Sequence, residues 1–555
     1  DSNTQYPIPN LPIYQGAGGE WRLTTAERKR ILLTHLYGVD IDPQAVEVTK
    51  LSLLLKVLEG ENEETLERQL KFFHERALPD LGSNIKCGNS LIGPDFYDNQ
   101  QMTFLDEEER YRINAFDWNA EFPEIMKSGG FDAVIGNPPY GFRQIHAPYV
   151  KAYFKRRFVA AQGSYEQHFL FYERSLSLLG RGGLHGFIAP VTWLTIPSAR
   201  SLRRFMLTDY SIREISWLPD LVFPNAQVNT LVSVIERSRP GQVSVKIYTR
   251  PGFDGPPNQQ RVYRQATFAA PQFSIGIFET DEDRHLVEKV ARVSDPLAKL
   301  ATPCSGYNPY EVGKGQDPSG RPHSRDTVKA KPYHSAERLG PEWKPEIVGR
   351  DLRRYFVNIT GKRWVKYGPW FAAPRDPRNF LGRRVLLQEI TGGKERRIVA
   401  AYHEGQLYHS RDVIPVKTDS SPVHPLYLLG IINSKLLTWY HGKRNPKAQK
   451  ALFPKLLVSD VRTLPIRRLN LSDAAERARH DHMVELVDRM LELHKKLAAA
   501  KTAHEKTVLQ REIETTDRQI DQLVYELYGL TEEEIKIVQE EAQTRKVCDP
   551  PRRIP

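Results

Sequence analysis

Cysteine is scarce in this chain. Three occur in 555 residues, Cys87, Cys304 and Cys548, widely separated and with no Cys-x-x-Cys pair. That excludes a disulfide framework and gives no zinc site, so no metal is expected and the compartment reads as a reducing cytoplasm. Long apolar runs are missing too. The longest, Leu51 to Leu58, is broken by Ser52 and Lys56 and is far too short to span a bilayer, so no membrane segment is expected. The start Asp1-Ser2-Asn3-Thr4-Gln5 has no initiator Met, no basic segment and no apolar signal core, and is read as a cut end rather than a secretion signal. No solenoid-type internal repeat is found.

What is present is a soluble composition, 40% hydrophobic and 26% charged, in a chain too long for one core. Two or three globular units are expected. The net charge of +11 is local: residues 321–400 hold 19 Lys and Arg against 8 Asp and Glu, so the remainder sums to zero. Trp343, Tyr355, Trp364, Tyr367, Trp370 and Phe371 are interleaved with these charges. Such a segment suits a phosphate-binding surface with base-contacting aromatics; it equally suits a solvated basic face over core aromatics.

Residues 1–240 alternate strand and helix patterns. A short strand at Leu36 to Ile41 is followed by a helix over Ala45 to Leu58, and a charged helical stretch, Glu61 to Arg76, leads to a strand at Asn84 to Cys87. The buried-type strand Phe131 to Gly136 comes next, then a helix over Tyr165 to Leu179, a turn at Gly182-Gly183 and a strand at Leu184 to Pro190. A helix at Ser198 to Leu207 and strands at Ile212 to Leu218 and Asn229 to Glu236 complete the pattern. This alternation predicts an α/β fold with a mostly parallel sheet. Beyond about Arg237 short strands with many Pro and Gly predict an α+β domain over 241–470. Residues 471–555 carry two apolar stripes, Met483, Leu486, Met490, Leu493, Leu497 and Leu509, Ile513, Ile520, Leu523, Leu527, which predict a helical pair ended by Gly529. Thr531 and Glu534 have capping-box spacing for a last helix.

Asn137-Pro138-Pro139-Tyr140 lies at the C-terminal end of a strand, the edge where ligands of open α/β sheets bind. The exocyclic amine of adenine is a poor nucleophile because its lone pair is delocalised into the ring. The Asn137 side-chain carbonyl and the Pro138 backbone carbonyl can each accept one N–H of such an amine, and paired prolines hold these acceptors rigidly. Tyr140 can stack on the base. An amine inside a duplex is out of reach, so the base must be flipped out, at a cost of a few kcal/mol that stacking offsets. A strand-ending turn with an incidental Tyr is the other reading of the tetrapeptide.

The stretch from Gly38 to about Arg237 resembles the amino-methyltransferases of DNA in the motif order of the gamma class. Gly38-Val39-Asp40-Ile41-Asp42-Pro43 is similar to the family's second motif, and the resemblance gives Asp40 the ribose hydroxyls of S-adenosylmethionine; alternatively Asp40 and Asp42 cap the following helix, a reading that suits Asp42 better. Ile85-Lys86-Cys87-Gly88-Asn89-Ser90-Leu91 resembles the third motif. There Asn89 stands where the family has an acid facing the cofactor's adenine, or Gly88-Asn89 is simply a turn. Phe223, in Leu221-Val222-Phe223-Pro224, falls where the family has a Phe stacking on the flipped adenine opposite the Tyr. Asn308 to Gly315, Gly349-Arg350-Asp351, Leu429 to Lys435 and Leu452-Phe453-Pro454-Lys455 look like the TaqI-like C-terminal specificity domain of type IIG restriction-modification enzymes.

The resemblance implies a Rossmann-like methyltransferase fold, S-adenosylmethionine as cofactor, double-stranded DNA as partner, and adenine-N6 methylation by base flipping in a restriction-modification or phage-defence system. The family's glycine-rich turn after its first strand is not found. Gly16-Ala17-Gly18-Gly19 is read as a loop, because Pro7, Pro9 and Pro12 prevent a preceding central strand. The first strand, and a nuclease domain, are expected upstream of Asp1. A non-catalytic DNA-recognition subunit, or a methyltransferase of RNA or protein glutamine, are the competing readings; Asn rather than Ser at position 137 leans away from cytosine-N4.

Overall fold

The computed structural model describes residues 12–15, 19–59, 79–98, 107–140, 147–218, 229–248, 255–269, 273–391, 397–419, 421, 423–445 and 455–547. The expected helix Glu61 to Arg76, Phe223, and most of Leu452 to Lys455 lie outside them. The fold is mixed α/β, and the chain divides into two units, Asp1–Ser274 and Ile275–Pro555.

In the first unit, strands β1 (Ile13–Gln15) and β2 (Trp21–Leu23) pair antiparallel ahead of the helix Thr25–His35. Strand β3 (Gly38–Asp40) then leads into the helix Pro43–Leu58 and returns through strand β4 (Ile85–Cys87), parallel to β3 with Asp40 opposite Cys87. The helix begins at Pro43 because proline presets φ at the first helical position and Asp42 caps it, accepting from Gln44 N at 2.9 Å. Just before β4 the buried Asn84 amide donates to the carbonyls of Leu33 and Leu36 at 2.9 and 3.0 Å, closing the C-terminal end of the helix Thr25–His35.

Strands β5 (Phe131–Gly136), β6 (Leu179–Pro190), β7 (Ser211–Trp217), β8 (Thr230–Glu236), β9 (Gln242–Ile247) and β10 (Gln259–Arg264) form one sheet in the order β10-β9-β7-β8-β6-β5. It is mixed rather than mostly parallel. β5 and β6 run parallel, as do β7 and β9, but β8 lies antiparallel between β6 and β7. β8 is held there on both edges at once, with Val234 opposite Gly186 of β6 and opposite Glu214 of β7. The sheet also continues past residue 240 through β9, whose Val243, Val245 and Ile247 alternate inward and are buried.

Two local expectations change. Gly182-Gly183 is not a turn preceding the strand: β6 starts at Leu179, and Gly182, at φ +79°, sits within a register shift opposite Phe131 and Ala133. A Cβ on Gly183 would meet the Phe131 carbonyl oxygen at 2.8 Å, so this irregularity requires glycine there. The strand Phe131–Gly136, expected to be buried, exposes Ala133 and Ile135, the latter by 85%, because β5 is the edge strand among the described residues.

The second unit contains two four-stranded sheets. Strands Thr302–Pro303, Val413–Lys417, Arg384–Gln388 and Ala400–His403 form one in that order, and His334–Ser335, Trp364–Lys366, Trp343–Ile347 and Tyr408–His409 form the other. The helix Pro425–Asn433 is buried on every side. Helices Ala474–Ala499 and Ala503–Tyr528 bury Met483, Leu486, Met490, Leu493, Ile513, Ile520, Leu523 and Leu527 into the same core. Gly430 permits this approach, since a Cβ there would come within 2.5 Å of the Met483 sulfur. Gly529 ends the pair in the left-handed region, and Thr531 and Glu534 exchange capping hydrogen bonds at 3.3 and 2.8 Å.

Candidate functional site

Three expected site segments lie at strand ends of the first unit. Asn137 leaves β5 directly and is exposed, Pro138 is buried and Pro139 exposed. Gly136 before them is crowded: a Cβ there would approach the Phe187 ring of β6 at 2.9 Å, so a glycine lets the Asn-Pro-Pro backbone leave the strand beside its neighbour. Tyr140 is half-buried and its hydroxyl donates to the Ile188 carbonyl of β6 at 3.2 Å. Burial raises its phenol to about 12, so it remains a neutral donor at physiological pH. The tetrapeptide is thus tied to β6 as well as to β5.

Asp40 ends β3 and is exposed. One carboxylate oxygen accepts from Asp42 N at 2.8 Å, and the helix cap belongs to Asp42. Asn89 follows β4. Its side-chain carbonyl accepts from Leu91 N at 3.1 Å while its own N–H donates to Asn114 O at 2.7 Å. Gly88 between strand and turn allows no side chain, since a Cβ would lie 2.3 Å from the Phe116 ring. Because Asp40 is opposite Cys87, Asp40 and Asn89 share one end of the β3–β4 pair.

The two strand systems are joined at their roots by aromatic contact. Tyr37, just before β3, meets Phe131, the first residue of β5, with ring centroids 6.0 Å apart, and Phe122 packs on both at 5.5 and 5.8 Å. Sequence reading also overlooked Arg203. It is buried on the helix Arg200–Asp209 and donates to the carbonyls of Trp193 and Ile196 at 2.8 Å each, fixing the segment that continues β6. An arginine on an apolar helical face was the signal for it.

The comparisons with known proteins fall on these two units. Residues 34–223 match the family described as Eco57I restriction-modification methylase, and residues 344–466 match the TaqI-like C-terminal specificity domain. A candidate type II restriction enzyme and methyltransferase of Methanocaldococcus jannaschii is 23% identical over 560 residues, covering 79% of this chain and 45% of that protein. The type II restriction enzyme and methyltransferase RM.Eco57I of Escherichia coli is 31% identical over 222 residues, 39% of this chain and 20% of that protein. The adenine-specific methyltransferase PglX of Streptomyces coelicolor is 28% identical over 173 residues, 30% of this chain and 14% of that protein. The chain therefore spans less than half the length of these curated relatives. It carries an Eco57I-type restriction-modification methylase domain followed by a TaqI-like C-terminal specificity domain.

Proposed function

We propose that the chain is the methylating and DNA-recognising part of a restriction-modification enzyme that transfers a methyl group to adenine N6 in duplex DNA. The observation that carries this reading is the Asn137 to Tyr140 tetrapeptide, leaving a strand end inside the matched methylase domain and held to β6 through Tyr140. The Asn137 side-chain carbonyl and the Pro138 carbonyl accept the two N–H groups of the amine, drawing its lone pair out of the ring. Tyr140 stacks on the extruded base, and Phe223 is assigned the opposite face. The name of the Streptomyces relative supports adenine.

The donor set fits S-adenosylmethionine: Asp40 is an exposed carboxylate at a strand end, free of the helix cap, and Asn89 lies on the neighbouring strand end. When bound, that cofactor supplies an electrophilic methyl group. Asp40 holds its ribose hydroxyls and Asn89 borders its adenine. The Leu91 bond engages one lone pair of the Asn89 carbonyl, so its NH₂ group is the readier partner for a ring nitrogen.

We infer further that the exposed edge of β5, with Ile135 on it, pairs with one more parallel strand bearing the glycine-rich turn, between β5 and β3. A charge placed on that edge, Ile135→Lys, then weakens S-adenosylmethionine binding, and calorimetry giving unchanged affinity would overturn this inference. The function itself is tested in the full-length enzyme by following labelled methyl into duplex DNA and identifying the modified base. N6-methyladenine is expected, with activity lost in Asn137→Ala while cofactor binding persists. Full activity in that variant, or label in RNA or protein alone, sinks the assignment.

A further inference from the structure

The second unit holds a cavity of about 1220 Å³ that the methylation chemistry does not use. Two segments singled out in the sequence, Gly349-Arg350-Asp351 and Asn433-Ser434-Lys435, converge on it. Arg354 and Arg397 both reach Asp517 Oδ2, at 2.9 and 3.2 Å, and both donate to the Asn433 carbonyl, at 3.2 and 2.8 Å. Asp521 takes Lys435 through its backbone N–H at 2.8 Å and its ammonium at 3.0 Å. Asp517 is thus engaged by both arginines, whereas Asp521 is ion-paired to Lys435 through an Oδ2 that makes no hydrogen bond among the described residues. The Nε–H groups of Arg354 and Arg397 are buried with no hydrogen-bond partner among the described residues, and Arg397 is only 9% exposed. Buried charged donors normally find an acceptor, so the pair marks an incompletely satisfied cationic wall.

Around that floor stand Arg350, Arg353 and Arg518, all exposed. The lining therefore carries six Lys and Arg against three acids, Glu514 being the third. His494, stacked on Phe356 at 4.8 Å, adds no charge, because burial and Arg354 hold its imidazole down to about 4. An excess of three positive charges, mostly guanidinium forks, suits phosphate oxygens better than a carboxylate or an apolar ligand.

We propose that this cavity seats a backbone phosphodiester of duplex DNA, with Arg350 and Arg518 as its outer contacts over the Arg354 and Arg397 floor. The inference rests on the reading that this unit engages DNA, and it deepens that reading: the contact positions the duplex without reading its sequence. The test is the double variant Arg350→Gln, Arg518→Gln in the full chain; Arg353 is left intact because it bonds the Arg350 and Leu352 carbonyls. Both replaced side chains are exposed, and an unchanged thermal melt confirms folding. Binding to duplexes of different sequence is measured across a salt series. The slope of log affinity against log salt is expected to fall by about 0.9 per lost contact, with all duplexes weakened by the same factor. An unchanged slope with parental affinity overturns the cavity assignment alone, whereas a parent that binds no duplex DNA overturns the DNA reading with it. Loss confined to one sequence would make these base contacts and reject the proposal. So would thermal protection by a mononucleotide, lost in the double variant, with the DNA slope unaltered.

Discussion

At the scale of single residues, Tyr140 has two separable contributions. Tyr140→Phe removes the hydroxyl with its hydrogen bond to Ile188 and should cost about 1 kcal/mol of stability with the ring retained. Tyr140→Ala in the full-length enzyme should weaken binding of an extruded adenine by roughly 1 to 3 kcal/mol. A fluorescent adenine analogue that responds equally to the Ala variant and the parent would refute the stack. Asp40→Ala is expected to raise the cofactor's dissociation constant in the full-length enzyme while leaving DNA affinity alone, since Asp42 rather than Asp40 caps the helix. Unaltered calorimetric binding would return Asp40 to its turn. Gly88→Ala forces a methyl onto the Phe116 ring, and overpacking of this kind costs about 1 to 3 kcal/mol.

At the scale of elements, Asp517 on the helix Ala503–Tyr528 joins that helix to Arg354 and Arg397. Asp517→Ala leaves two largely buried guanidinium groups without their shared carboxylate, and losing one partner of such a pair typically costs about 3 to 5 kcal/mol. Denaturant melts of the second unit would show it, and a midpoint unchanged from the parent would mean that water replaces the carboxylate. The arginines beside Asp517 outweigh its burial and hold its carboxyl down to about 2. Its contribution is therefore complete above the ordinary carboxyl range, near 3.8, and disappears as pH falls through about 2. Met490, fully buried between the same helices, offers a charge-free comparison: Met490→Ala should cost about 2 to 5 kcal/mol at any pH.

At the scale of the whole molecule, buried histidines set the acid side of stability. Burial holds His168 and His185 of the first unit down to about 3, outweighing a backbone hydrogen bond that raises His185 and prevailing at His168 with Glu166 Oε2 3.5 Å from its Nδ1. In the second unit His409 is held to about 3 and His403 to about 4, with burial the main cause and Arg384 adding to it. Each stays neutral when folded but takes up a proton near 6.5 when unfolded, so stability is full above that value and declines as pH drops toward the folded values. Calorimetric scans between pH 7 and 4.5 should show both units melting at progressively lower temperature; a flat profile would mean these imidazoles are hydrated or paired in solution. Sequence alone determined the elements whose signals are local: the Asp42-Pro43 helix start, the Gly529 stop, the two apolar stripes and the tetrapeptide after Phe131–Gly136, because capping, φ restriction and periodicity act within a few residues. It also carried the succession of a methylase domain and a TaqI-like specificity domain, which the two family matches bear out. Tertiary structure decided what depends on partners distant in sequence: the antiparallel insertion of β8, the exposed edge of β5, the Ile188 carbonyl beneath Tyr140, and the meeting of Arg354, Arg397 and Asp517. Strand order and charge pairing are fixed by which surfaces become neighbours after collapse, and no spacing along the chain encodes that choice.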